Sequence, residues 1–280
     1  KQELNDNIDE QESIDENYVS PYLLEMRTTQ SNTISKLFEA IKGILTEANI
    51  EFRPDGMRII AMDAVCNTMV HLKLFADKFE FYHCPNTEIV GMNMLNLFKI
   101  LNTVNNDDVL TFIIDPEETE YLQIRVENGD KSTLDIYKIK MIDVDEDVID
   151  DVPNREFPSV ISLPSSDFQK YCRDMEHIGE IVDIRTTGKQ LYMICGGDYA
   201  KQNKIIGESN NSLNFIKDSR TTVQGVFKLK HLITFTKCTS LCNNVELFFM
   251  NDFPLIIRYS VSNMGEIKLC LAPADDQNEN

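Results

Sequence analysis

From Ser31 onward apolar residues recur at three-and-four spacing: Ile34, Leu37, Phe38, Ile41, Ile44, Leu45 and Ala48. This predicts one buried helix face, with Lys36 and Lys42 off the stripe. A strand at Ile50–Phe52, a Pro54-Asp55-Gly56 turn and a strand at Met57–Met62 follow, Gly56 supplying the positive φ that the turn needs. About 130 residues later the pattern returns. Phe168, Tyr171, Cys172 and Met175 form the stripe of a helix, followed by a strand at Ile181–Arg185, a turn at Gly188 and a strand at Leu191–Cys195. A second pair of helices keeps a similar offset. Asn93 caps the first, with Met94, Leu95, Leu97, Phe98 and Leu101 inward. The other spans 228–238, with Leu229, Leu232, Ile233 and Thr236 on one side. The chain is an internal duplication.

Alternation adds strands at Tyr22–Arg27, Met69–Leu74, Phe79–Cys84, Val109–Ile114, Tyr121–Val126 and Leu134–Met141 in the first half. In the second half it adds Val160–Leu163, Lys204–Glu208, Thr222–Phe227, Val245–Met250, Leu255–Val261 and Ile267–Leu271. The predicted fold class is α+β: two similar units, each with two helices on one face of an antiparallel sheet. The expected organisation is a disordered acidic arm (1–20), a first unit (21–141), a linker (142–157), a second unit (158–273) and an acidic tail (274–280). The linker is acidic, but Val148, Ile149 and Val152 punctuate it, which suggests that it lies on a surface.

Charge changes the picture by its position. The net charge of −19 argues against a generally basic nucleic-acid binder. Yet the four helical windows (31–48, 93–104, 165–176, 228–238) hold eight Lys/Arg against five acids, a net +3, and the rest of the chain carries −22. Helices packed on one side of their sheets would present a basic surface that attracts phosphate without regard to sequence. Seven cysteines without a regular framework suggest reduced thiols and an intracellular protein, and no apolar run approaches the ~20 residues of a membrane span. The absence of Trp and the abundance of Asn and Ile suggest an A/T-rich source genome, such as that of a virus or protist.

Motifs for catalysis are absent. The sequence contains no G-x-S-x-G, P-loop, G-x-G-x-x-G or H-E-x-x-H. His71, His83, His177 and His231 are scattered; Cys238 and Cys242 read as small core residues, and His177 as a helix C-terminal residue. The Asp143–Asp151 cluster lacks the glycine and spacing of a calcium loop. No enzyme activity, metal or cofactor is expected.

Five ordered stretches resemble a known family, the eukaryotic-type sliding clamps of proliferating cell nuclear antigen: LFEAIKGILTEA, Met62-Asp63, CRDMEHIG at 172–179, TFTKCTSL at 234–241 and MGEIKLCLAP at 264–273. The resemblance covers about residues 22–274. It implies a non-catalytic DNA polymerase processivity factor: a homotrimeric ring of six similar domains, its helices lining a channel around duplex DNA. It also implies a clamp loader, a role in replication and repair, and a place in the nucleus or at a cytoplasmic viral replication site.

The family's channel positions match Lys36, Lys42, Lys99, Lys170, Arg173, Lys230 and Lys237, while Ser35 and Asn102 replace usual lysines. Its intersubunit strands match Leu134, Ile136, Lys138 and Lys140 on one edge and Lys204, Ile206 and Glu208 on the other. Its pocket for partner peptides (the PIP box, Q-x-x-aliphatic-x-x-aromatic-aromatic) matches Met62, Cys66, Met69, Ile149, Val152, Pro254, Leu255, Cys270, Ala272 and Pro273, with Cys270 in place of a tyrosine and Asn67 in place of an apolar residue. Gly188 stands at the family's modification lysine, beside Lys189. Two alternatives stand beside this reading: a subunit of a heterotrimeric checkpoint ring, and a hydrolase using the acidic linker and a histidine.

Overall fold

A computed structural model describes residues 18–145, 155–219 and 221–274. Most of the acidic arm and tail and the middle of the linker, including Ile149 and Val152, lie outside these residues. Chain order in the first half is β1 (Leu24–Thr28), α1 (Ser31–Ile41), β2 (Glu47–Arg53), β3 (Gly56–Met62), β4 (Thr68–Phe75), β5 (Phe81–His83), β6 (Glu88–Asn93), α2 (Met94–Leu101), β7 (Val109–Ile114), β8 (Tyr121–Asn128) and β9 (Thr133–Lys140). The second half repeats it: β10 (Ser159–Pro164), α3 (Ser165–Glu176), β11 (Ile181–Thr187), β12 (Gln190–Gly196), β13 (Lys201–Gly207), β14 (Asn214–Lys217), β15 (Val223–Lys228), α4 (Leu229–Phe235), β16 (Asn244–Phe249), β17 (Leu255–Val261) and β18 (Gly265–Leu271).

The sheet partition differs from the expectation of one sheet per unit. Each unit builds two sheets, and the units share the middle one. Five strands run β5-β1-β7-β8-β9, four run β13-β12-β11-β15, and nine run β14-β10-β16-β17-β18-β4-β3-β2-β6. The nine-stranded sheet is the five-stranded type of the second unit joined to the four-stranded type of the first. The join is the antiparallel pair β18–β4, in which Ile267 faces Leu72 and Leu269 faces Val70. These side chains are fully buried, so the seam is as apolar as the interior of either unit.

Several local readings are corrected. α1 stops at Ile41; Ile44 and Leu45 bond back to the Ile41 carbonyl in a closing turn, and Ala48 is an inward residue of β2. Apolar spacing continued past the helix because the turn and the strand also face the core. On α2, Leu95 points to solvent and Phe98 is half-buried, leaving Met94, Leu97 and Leu101 inward. On α4 the third fully buried residue is Phe235, with Ile233 only partly covered; a 3₁₀ turn, Thr236–Ser240, continues the helix. β6 and β14 were not predicted. Within the arm, Tyr18 and Ser20 pack on the fold and hydrogen-bond to the Glu25 carboxylate at 3.1 and 2.5 Å.

The helices cover one side of the sheets as a single layer. α1 packs on α2, α3 on α4, and the 3₁₀ turn touches both α1 and α3, so the layer crosses from one unit to the other. Phe38, Phe52, Phe112, Phe168, Phe227 and Phe235 fill the space between helices and strands, each worth about 1.5–3 kcal/mol of burial. Asn93 caps α2, its side chain accepting from the Asn96 amide at 3.1 Å. Gly56 holds φ +136° in the β2–β3 turn, and a Cβ there would stand 1.9 Å from the Leu74 carbonyl. Gly56→Ala should therefore cost at least about 2 kcal/mol, through strain and loss of the β3–β4 contact. Denaturant unfolding measures it; an unchanged midpoint would contradict this geometry.

Candidate nucleic-acid interface and partner surface

The basic residues divide by element. On the strands and their loops, most are matched to carboxylates on the same or neighbouring strands and turns: Arg27 with Glu127, Arg58 with Glu51, Lys73 with Asp55, Arg185 with Asp183 of its own strand, Lys189 with Glu208, and Arg258 with Glu246 and Glu266. The helix layer behaves otherwise. Among the described residues, none of Lys36, Lys42, Lys99, Lys170, Arg173, Lys230 and Lys237 has a carboxylate within ion-pair distance. Lys99, Lys170, Arg173, Lys230 and Lys237 are exposed; Lys36 and Lys42 are half-buried.

Two of these cations are held by other means. The Lys42 ammonium lies 3.1 Å from the Phe98 ring centroid, a cation–π contact that ties α1 to α2. Lys237 reaches from the 3₁₀ turn of the second unit across to Gly43, where its Nζ would be 2.8 Å from an added Cβ. Gly43 leaves room for an ammonium beside the C-terminal end of α1, where a positive charge is favoured. The potential of this layer is felt locally. Burial, aided by Lys230 and Lys228, pushes the His231 imidazole below its usual range, against the opposing pull of Asp63. A layer of unneutralised cations is chemically suited to polyanions.

The opposite face of the nine-stranded sheet carries an apolar cluster. Phe157, Val160, Ile256 and Cys270 are buried there, with Met69, Phe248, Met250 and Phe253 packed around them. The Phe157 ring meets Phe248 at 5.6 Å and Phe253 at 5.8 Å, both edge-on, and the Arg155 guanidinium sits over Phe253. Burial pushes the Cys270 thiol up to about 11. Beside the cluster an open cavity of about 740 Å³ is lined by Asp183, Gln224, Asn251, Asp252, Phe253, Ala272 and Pro273, among others.

The pocket predicted from sequence is therefore partly relocated. Met62, Cys66 and Pro273 are exposed, and Met69, Pro254 and Ala272 half-exposed, so these are available to a partner. Leu255 is not: it faces the main core and is 1% exposed. Cys270 lies under the cluster instead of at its rim. Sequence reasoning missed Phe157, Phe248, Phe253 and Ile256. The parity of β17 could have found Ile256, because Leu255, Ile257 and Tyr259 share the inward phase.

The repeated layout, the joined sheets and the basic helix layer find their counterpart in known proteins. Two family models, the N-terminal and C-terminal domains of proliferating cell nuclear antigen, match residues 23–149 and 151–274. The chain belongs to the proliferating cell nuclear antigen family. It is also 34% identical over 255 residues to a probable DNA polymerase sliding clamp 1 of Paramecium bursaria Chlorella virus 1, an alignment covering 90% of this chain and 97% of that protein. Proteins of this family are DNA sliding clamps, processivity factors and not enzymes, which removes the hydrolase alternative.

The remaining predicted positions lie on two free sheet edges. On β9, Leu134, Ile136, Lys138 and Lys140 are all exposed, Lys138 pairing with Glu118 and Lys140 with Glu120. On β13, Lys204 and Ile206 point inward and are half-buried, Lys204 lying 4.2 Å from the Tyr171 ring centroid. The exposed apolar residue of this edge is Ile205, which the sequence reading passed over. Glu208 lies one residue past the strand, where its carboxylate pairs with Lys189 at 2.9 Å. That pairing holds the Glu208 carboxyl below its usual range.

Proposed function

We propose that this chain is the subunit of a homotrimeric DNA sliding clamp, with β9 of one copy pairing β13 of the next and the helix layers of three copies lining a channel. The observation that carries the reading is the segregation of charge compensation. Most strand cations are matched to acids, while none of the seven helix cations has a carboxylate partner among the described residues, which leaves them for an external anion. Duplex DNA supplies that anion as phosphate, at a spacing independent of base sequence. The acidic remainder of the surface repels DNA elsewhere and so favours threading over adhesion. The first unit would span 21–141 and the second 158–273, with 142–157 linking them. Its place of work would be the nucleus or a viral replication site, and an ATP-driven loader would place it on DNA.

The apolar cluster and neighbouring cavity fit a tethered partner, a polymerase or another replication or repair protein. A PIP-box peptide would set its aliphatic and aromatic side chains against Met62, Cys66, Met69, Pro254, Ala272 and Pro273, with Ile149 and Val152 contributed by the linker. Apolar burial at about 25 cal/mol per Å² drives such an anchor. The two methionines adapt to different side chains.

Alanine at Lys99, Arg173 and Lys237 together should weaken DNA retention on any sequence without altering the fold. The salt dependence should flatten by about 0.9 in log–log slope per lost phosphate contact. Equal polymerase stimulation and equal salt slopes for parent and variant would refute the basic channel. Separately, Met69→Asp places an unpaired charge in the apolar cluster and should lower PIP-box peptide affinity at least about tenfold. Calorimetry tests it, and matching affinities would put the partner site elsewhere.

A further inference from the structure

The outer face of the nine-stranded sheet sets cations directly opposite one another. Arg58 of β3 faces Lys73 of β4, and on the other side of β4 His71 faces Lys268 of β18. Like charges in that position destabilise a sheet unless an anion lies between them. The carboxylates nearby supply that anion only in part. Arg27, Arg185, Lys189 and Arg258 hydrogen-bond to their acids. Arg58 and Lys73 stand 3.4 and 3.3 Å from Glu51 and Asp55 and make no hydrogen bond to them. Arg53 leans on the same two carboxylates at 3.6 and 3.8 Å, so three cations share two acids. Lys73 also lies 5.5 Å from the Phe75 ring centroid. The Arg58 Nε is closed off from solvent with no acceptor among the described residues, a costly state for a guanidinium N–H.

The space to receive an anion is present. Gly56 is the outward position of β3 between Arg53 and Phe75, and it brings no side chain to the face. A cavity of about 190 Å³ lies there, lined by Arg53, Arg58, His71 and Lys73. Among the described residues Asp55 is the one acid in its wall, and that side chain is 63% exposed on the turn. Its contacts to Arg53 and Lys73 are the long ones, so it can leave toward solvent at little cost.

We infer that this cavity binds a single phosphoryl group, held by Arg53, Arg58 and Lys73 in place of the Asp55 carboxylate. A tetrahedral oxyanion has several oxygens to offer cations that converge from separate strands, which one carboxylate of the turn does not. The guanidinium of Arg58 gains the acceptor that its Nε lacks. The cavity admits one small group, and the acids around it, in a chain of net charge −19, disfavour a long polyanion on this face. The site lies within one chain, on the sheet face opposite the helix layer, so it stands or falls apart from the ring. Inorganic phosphate and a phosphorylated residue of a partner protein both present the required group.

Inorganic phosphate titrated into the full chain at constant ionic strength, with chloride as the balancing anion, tests the site. The methyl resonance of Met57, which lines the cavity, should shift and saturate with a dissociation constant at or below about 1 mM. Met62 and Met69, about 13 Å away along the same strands, should not move. Asp55→Asn keeps a turn-forming side chain and removes the competing carboxylate, so it should tighten binding about tenfold. Arg58→Gln with Lys73→Gln should abolish binding. Alanine at Lys99, Arg173 and Lys237 together should leave it unchanged, which separates this site from the helix layer. A Met57 resonance unmoved at about 10 mM phosphate, or an Asp55→Asn variant that binds no tighter than its parent, would overturn the site. Both readouts hold even where the glutamine pair fails to fold; a folded glutamine pair that still binds would overturn it as well. A short peptide carrying one phosphoserine separates the two sources. Binding tighter than inorganic phosphate assigns the site to a phosphorylated partner, equal or weaker binding assigns it to the free ion, and each upholds the phosphoryl site.

Discussion

The β18–β4 pairing is the contact on which the rest of the molecule depends. It fuses a sheet of one unit to a sheet of the other through residues as buried as any in the core. Two duplicated units could otherwise have been tethered beads. Joined in this way, their helices fall into one layer, and the 3₁₀ turn of the second unit comes against α1 of the first. The fusion also consumes two of four equivalent edges and leaves β9 and β13 open at opposite ends. A protein that leaves two complementary edges unpaired invites head-to-tail association, and a closed ring is the arrangement that exhausts them.

Electrostatics follows from the same layout. Cross-strand carboxylates absorb most of the cations of the outer sheet face, in pairs that are individually weak at such exposure but together leave that face with little free positive charge among the described residues. The helix layer receives few acids and keeps its cations. A chain with net charge −19 can therefore still offer a phosphate-binding surface, because the balance is set element by element. Gly43 and Lys237 illustrate how fine the arrangement is: a side chain at 43 would displace an ammonium belonging to the other unit.

The duplication, α3, and most of the strands were legible because period-2 and period-3.6 patterns report which side faces the core. They do not report which strand lies alongside, so the shared nine-stranded sheet was invisible. β6 escaped because EIVGMN packs on both sides near its end and does not alternate, and β14 because four residues in a polar loop carry too little pattern. The basic helix residues were legible from charge counting alone. Their lack of carboxylate partners was not, since pairing depends on neighbours distant in sequence. Most of the described positions that the family resemblance proposes for a partner pocket are accessible at the surface, but Leu255 is set on the core face. The resemblance also missed Phe157, whose ring crosses the outer cluster from beside an acidic stretch.

The central claim is that the joint inside the chain is repeated between chains until a ring closes. Mass measurement in solution on the unmodified protein tests it most directly. One chain is 32.2 kDa. The account predicts a single species of three chains, about 97 kDa, persisting at low micromolar concentration, where a closed ring gains from every joint at once. A monomer at that concentration, or an open-ended ladder of larger species, would contradict it.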